Sequence, residues 1–480
     1  MVKKILWITN IAIAVFIGVF ITLTQPVHFQ NKPTHHTSTP VPTPTQPSAN
    51  TDYLQIFDPS QISAIHLDIP NSSKKVLANA TLSKYVPATF QIKVGEFQSP
   101  VMDVQIKVKG TTSRYGINTT YAYTSFKVKF NYDKQHKTQT LLGLKSLTLN
   151  AMTQDSSKLH ETFAYETYRA MGLVASHTGY THLTLSKNIA RPNRGLYLVL
   201  ESVDDVFLGA NFQDVTQHLY ENARNFTDIS PASVGGNVKV NGSFKVKQGW
   251  KATPNRDDLR AFAKGIQANG KKLWNFLATN SDRERLIMLF AVDNFTGGWD
   301  TYSGPLQNNF QIRSDLNGKM TFIPWGLDNT WGENYFNDVK STHWMKSYNV
   351  PIALHDDFFF ALDKPTASFP GAFLIGYHAG VKDVNALTNY QLRRGALFRK
   401  CLVYSPCATL YYQDLKRISD WAANAKLTSQ MQQTEKVIKH YTSDYAKAEQ
   451  KRVEAWVTKQ QANVGKVLAK HCNKKVTKCN

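Results

Sequence analysis

The chain reads as an α+β protein of two lobes with a helical extension, preceded by one N-terminal transmembrane helix. Three observations predict this class. Short segments of clean apolar/polar alternation fill the first third, the period lengthens to that of a helix at Asp155, and the second half is mainly helical around one pair of strands. At 480 residues the chain is long enough to bury more than one domain-sized core.

The N-terminus opens with Lys3 and Lys4 followed by "ILWITNIAIAVFIGVFITL", in which only Asn10 is strongly polar. Such a run, ~20 residues, is long enough to cross a bilayer as a helix. The positive flank orients its start to the cytoplasm and exports everything downstream. A cleaved signal peptide is the competing reading of residues 1–25, but the run is long and no A-x-A site follows it. Residues 26–51 form a linker that includes "NKPTHHTSTPVPTPTQPSAN", too rich in proline and threonine to pack a core.

A β-rich small lobe is expected over 52–203. In "VQIKVKG", Val104, Ile106 and Val108 share one face and Gln105, Lys107 and Lys109 the other. "SFKVKF" repeats the pattern, with Phe126, Val128 and Phe130 opposite Lys127 and Lys129. The small polar stretch "GTTSRYG", 110–116, joins the two strands, and "LKSLTLNA" supplies another. Asp155 and Ser156 are placed to cap a helix through "KLHETFAYETYRAM", which Gly172 ends. "THLTLS" and "RGLYLVLESVDDVFL" follow as strands. A large lobe is expected over 204–400. In it "SDRE", 281–284, has the pattern of a capping box, and "NNFQIRS" and "MTFIPWG" flank the turn "DLNGK". Residues 225–260 give little pattern, and residues 401–480 read as a helical extension.

Charge and cysteine usage bound the partners. With 56 Lys+Arg against 35 Asp+Glu, the net charge of +21 favours polyanions: nucleic acid, an anionic surface polymer or nucleotide phosphates. There is no zinc-finger spacing, RNA-binding aromatic motif or single long basic tract, which disfavours nucleic acid. The four cysteines fall in two close pairs, Cys401 with Cys407 and Cys472 with Cys479. Two local disulfides in an oxidising compartment are the simplest pairing of the three that four cysteines allow.

Three residues stand at edges between regular elements and loops: Asp300 in "GGWDTY", Asn309 in "LQNNFQI" and Asp328 in "WGLDNTWG". An acid, an amide and a second acid after a strand pair are what phosphoryl transfer requires. One carboxylate receives the hydroxyl proton; the other and the amide hold a divalent cation against the phosphates. The alternative is that all three are turn formers.

The stretch "DNFTGGWDTYSGPLQNNFQIRSDLNGKMTFIPWGLDNTWG" resembles the CotH kinase family, the spore-coat-protein-H-type atypical protein kinases. "IKVKGTTSRYG", "TSFKVKF", "LLGLKSLTLNAMTQDSSKL" and "RGLYLVLESVDDVFL" resemble the family's earlier blocks in the same order, so the likeness covers about residues 60–335. The resemblance implies a bilobal, kinase-like fold that binds ATP with Mg²⁺ or Mn²⁺ and acts on a protein substrate. It implies Asp300 as the catalytic acid/base, and Asp328 and Asn309 as metal residues. Arg114 in the loop over the phosphates, Lys127, and the backbone near Glu201 and Val203 are its nucleotide contacts. Two departures stand out. Tyr123-Thr124-Ser125 replaces the family's lysine-containing pair, and Gly326 stands where the family's "WDxD" has its first acid. The reading is therefore an extracytoplasmic, membrane-anchored protein kinase, with a catalytically silent surface-binding protein as the alternative.

Overall fold

The computed structural model describes residues 52–79, 82–110, 115–118, 123–222, 227–239, 243–304, 307–332 and 394–472. The N-terminal apolar segment, the linker, Arg114 and Cys479 lie outside them. Among the described residues no helix is long and apolar enough to cross a membrane.

After a short 3₁₀ helix, Asp52–Phe57, come β1 (Ile62–Asp68), α1 (Asn71–Ala78), β2 (Val86–Val94), β3 (Phe97–Gln98), β4 (Met102–Val108), β5 (Phe126–Lys129) and β6 (Ser146–Asn150). Then follow α2 (His160–Ala170), β7 (Thr178–Leu185) and β8 (Asn193–Glu201). These eight strands form one sheet in the order β1-β7-β8-β6-β5-β4-β2-β3, and a further β1–β2 pairing closes it into a barrel. The alternation in the sequence decides which face is inside. Val104, Ile106, Val108, Phe126, Val128 and Phe130 are buried in the interior with Phe90, Leu147, Leu149 and Val199. Each side chain of this kind contributes about 1.5–3 kcal/mol through burial. Gln105, Lys107, Lys127 and Lys129 therefore stand on the outer face.

The outer face of β7 and β8 is apolar. Tyr180, Leu196, Leu198 and Leu200 join the core of the helical part. That part contains α3 (Asp205–Asn211), β9 (Thr216–Asn222), α4 (Pro231–Val234), β10 (Phe244–Gln248), α5 (Asp257–Gly265), α6 (Gly270–Asn280), α7 (Arg283–Phe295), β11 (Phe310–Asp315) and β12 (Met320–Pro324). Its strands form a second, antiparallel sheet ordered β10-β9-β11-β12. Helices α8 (Ala396–Leu402), α9 (Ser405–Asn424), α10 (Leu427–Ile438) and α11 (Asp444–Cys472) complete the described chain.

Two local expectations need correction. Asp282, not Ser281, caps α7 by accepting from the Arg285 N–H (3.2 Å); the Ser281 hydroxyl instead donates to the Leu277 carbonyl at the end of α6. The pattern-poor stretch 225–260 holds α4, β10 and the start of α5. These elements are too short for periodicity to reveal them. The Cys401–Cys407 disulfide is present. Cys472 is also disulfide-bonded.

Candidate functional site

Hairpin register brings the site together. β11 and β12 pair Phe310 with Pro324, so the residues just before β11 and just after β12 emerge at the same edge of the sheet. Asn309 and Gly326–Asp328 are therefore neighbours. The Asn309 side-chain amide donates to the Gly326 carbonyl (2.8 Å) and to Asp300 Oδ2 (2.6 Å), and its backbone N–H donates to the Asp300 carbonyl (2.6 Å). The Trp299 N–H reaches the Asn329 carbonyl at 2.9 Å and stitches the two acidic loops together. Asp300, Asn309 and Asp328 thus meet in one place, but Asn309 faces Asp300 with its NH₂ group. Its Oδ1 accepts from Asn308 at 3.1 Å. In this arrangement it orients Asp300, a role different from the metal contact expected of it, because its nitrogen lies between two oxygens.

Helix α2 adds a residue that sequence reading missed. His160 Nδ1 donates to the Asp328 carbonyl (2.9 Å), which sets Glu161 beside the same loop. Glu161 Oε2 accepts from Asn150 Nδ2 at the end of β6. Asn150 Oδ1 in turn accepts from the Ser125 hydroxyl (3.2 Å), and the Ser125 carbonyl accepts from the Lys109 N–H (2.8 Å). A polar chain therefore runs from the barrel's outer face into the acidic centre. The Lys109 ammonium lies 5.5 Å from the centre of the Trp325 ring. The signal for Glu161 was present: it shares a helical stripe with the buried Tyr165 and Tyr168, where a carboxylate is out of place.

The electrostatics are those of a site short of positive charge. Burial, then the charge of Asp328, pushes Glu161 well up from the ordinary carboxylate range, with Lys109 pulling it down. Burial and then Asp328 likewise raise Asp300. Glu161 Oε1 and Asp300 Oδ1 are both buried and have no hydrogen-bond partner among the described residues. Two orphaned carboxylate oxygens beside a third acid fit a divalent cation, which compensates such charge. Among the described residues no three His, Cys, Asp or Glu side chains close on a single point. A cation held here by two of these carboxylates would need further oxygens to complete its shell.

Gly326 has φ +60°, and a Cβ on it would lie 2.7 Å from Asn309 Nδ2. The missing acid is thus replaced by a left-handed backbone packed against the Asn309 amide.

The nucleotide contacts expected from sequence divide. Lys127 stands on the outer face of β5, and burial, then the charge of Lys247, lowers its pKa to about 8. Glu201 turns away. Its carboxylate accepts from the N–H (3.0 Å) and Nδ1 (2.7 Å) of His177, and its own N–H donates to the His177 carbonyl (2.9 Å). The reason is register: Glu201 follows Tyr197 and Val199 on the barrel-interior side of β8. Val203 is buried with Phe207, Leu219 and Ile323, where the end of β8 meets the second sheet.

Residues 106–362, more than half of the chain, match the family described as CotH kinase protein. The chain is also 22% identical over 255 residues to the inner spore coat protein H of Bacillus subtilis (strain 168), an alignment that covers 51% of this chain and 63% of that relative. With the family match spanning β5 to β8 of the barrel, Glu161 and both aspartate loops, this chain belongs to the CotH kinase family.

Proposed function

We propose that this protein is an ATP-dependent protein kinase. In this reading it transfers the γ-phosphoryl group to Ser or Thr hydroxyls of surface or coat proteins outside the cytoplasm. The observation that carries it is the pair of buried oxygens on Glu161 and Asp300, without a partner among the described residues, beside Asp328. Asp328 and Glu161 would hold Mg²⁺ or Mn²⁺, which when bound neutralises charge on the transferred phosphoryl group. Asp300 takes the proton of the acceptor hydroxyl, and Asn309 holds it in position through Oδ2. Lys109 and Lys127 offer positive charge to the nucleotide.

The coat location of the relative and the apolar N-terminal segment support an extracytoplasmic protein anchored through that segment. Protease treatment of intact cells tests this: the main domain is digested if exported and protected if not.

A second reading, a catalytically silent protein that binds surface polymers or proteins, has one specific observation behind it. Gly326 removes an acid that the family's motif carries, and the position has no room for a side chain. Transfer of ³²P from γ-labelled ATP to casein or to the chain itself, with Mg²⁺ or Mn²⁺, separates the two. The kinase reading predicts labelling that falls at least 100-fold in Asp300→Ala and Asp328→Asn. Wild-type labelling no higher than in the variants supports the silent reading.

A further inference from the structure

We propose that Asp293 is a positioning residue for Asp300: together with Tyr168 it fixes the Asp300 loop against the helix that carries Glu161. This role rests on the reading of Asp300 as the group that takes the acceptor proton, and it supplies the residue that holds that group beside the cation.

Asp293 sits where a carboxylate has little reason to be. It lies in the last turn of α7, and every residue of that helix from Leu286 to Phe295 is buried. Burial penalises its charge, and the negative end of the helix dipole opposes it further. An acid kept there against both effects needs a task that an apolar side chain cannot perform.

The task is to hold the loop. Asp293 Oδ2 accepts from the Ser303 N–H (3.0 Å) and from the Ser303 hydroxyl (2.8 Å). The Asp293 carbonyl accepts from the Gly298 N–H at 2.7 Å. One residue therefore fastens both ends of the segment 298–303, with Asp300 between them. The neighbouring Asn294 adds a second hold, its amide donating to Ser303 Oγ at 3.1 Å. The segment also closes on itself. The Thr301 hydroxyl donates to the Gly298 carbonyl (3.3 Å), and a Cβ on Gly304 would run into the Gly298 and Trp299 carbonyls. A loop so short and so tightly closed passes a shift at Ser303 on to Asp300.

The other carboxylate oxygen, Oδ1, accepts from the Tyr168 hydroxyl on α2. Tyr168 follows Glu161 by seven residues, two helical turns along the same face. Between them Tyr165 accepts from the Gly326 N–H at 3.0 Å. One face of α2 thus meets three parts of the site: Glu161 at the acidic centre, Tyr165 at the turn that leads to Asp328, and Tyr168 at the anchor of the Asp300 loop. Through Asp293 the base is set in register with the helix that carries a cation ligand.

The test is ³²P transfer by the full-length chain, with kcat and KM for ATP measured separately, beside thermal melts. Asp293→Ala is expected to lower kcat about 100-fold and Tyr168→Phe about tenfold, each with KM for ATP within about twofold of wild type. Asp293→Asn, whose amide still accepts from Ser303 and donates to the Tyr168 oxygen, restores kcat to within about tenfold of wild type. Thr167→Val removes another buried hydroxyl of α2, one that donates to the Phe163 carbonyl (2.7 Å), and should leave kcat within about twofold even where the melting temperature falls. Tyr168→Phe keeps the ring and its packing, so it decides the matter if Asp293→Ala does not fold. A Tyr168→Phe kcat within about twofold of wild type overturns the role and leaves the kinase reading standing. If the wild type transfers no phosphate, the kinase reading falls and a double-mutant cycle in the melts decides the role. Tyr168→Phe and Asp300→Asn then shift the melting temperature non-additively if the network holds Asp300 in the field of Asp328 and Glu161; additive shifts overturn it.

Discussion

Asp300 keeps one oxygen on Asn309 and leaves the other buried without a partner among the described residues, in the field of Asp328 and Glu161. Replacing it by Asn removes a repelled charge and keeps an acceptor for Asn309. Asp300→Asn is therefore expected to leave the melting temperature unchanged or raise it while phosphoryl transfer falls at least 100-fold. A melting temperature that falls together with activity contradicts this assignment. Gly326 gives the opposite case. Restoring an acid with Gly326→Asp forces a side chain into left-handed backbone and against Asn309, at a cost of about 1–2 kcal/mol and with no gain in transfer. Denaturant unfolding beside the transfer assay measures both. At this scale the sequence revealed Asp300, Asn309 and Asp328 because they share one short stretch. It concealed Glu161, which comes beside the Asp328 loop only through the docking of α2. Nor did it show which way the Glu201 side chain faces, which is decided by the β8 register.

The strands of the barrel were legible because period-two alternation survives in isolation, as in β4 and β5. The closure of the sheet was not, since β1 pairs both with β2, the next strand, and in parallel with β7, which is distant in sequence. The last helix shows what an element contributes beyond its own pattern. Read as an extension, α11 instead braces the acidic loops. Trp456 Nε1 donates to the Phe295 carbonyl (3.2 Å), and the ring packs against Gly297 and Gly332, where a Cβ would lie 2.5 and 2.6 Å from it. Gln460 donates to the Asn294 and Phe295 carbonyls (both 3.2 Å), and Gln450 donates to that of Ser157 ahead of α2 (3.0 Å). Trp456→Ala should therefore cost about 3 kcal/mol of stability, the low end for losing a packed aromatic ring. Trp456→Phe should recover most of it. Urea unfolding of both variants checks this; a loss below about 1 kcal/mol for the alanine variant contradicts the brace.

Across the whole molecule, buried charge sets a pH dependence away from the site. His218 is fully buried, with Nδ1 2.8 Å from Asp258 Oδ2 and Nε2 2.8 Å from the Thr253 carbonyl, so both ring nitrogens face acceptors. Burial opposes its charge, but these two bonds and the charge of Asp258 raise its pKa overall. Asp258 is held below the usual range: burial works against it, and His218, Ser314 and Tyr220 more than offset that. The His218 contribution is complete below the unfolded value of 6.5 and is lost as pH rises through the folded value. The Asp258 contribution is lost in acid. Thermal melts from pH 6 to 9 should decline for the wild type and be flatter for Asp258→Asn; parallel curves contradict the pair. The net charge of +21 was legible from composition, but the placing of Lys107 directly opposite Lys127 on β4 and β5 was not, because it exists only in the folded sheet. In the proposed reading Glu161 and Asp328 hold one divalent cation beside Asp300. Mn²⁺ binding to the full-length chain, followed by electron paramagnetic resonance with and without ATP, tests it most directly. The account predicts saturable binding that Asp328→Asn and Glu161→Gln each weaken at least tenfold. No saturable Mn²⁺ binding, or binding that both substitutions leave unchanged, would contradict it.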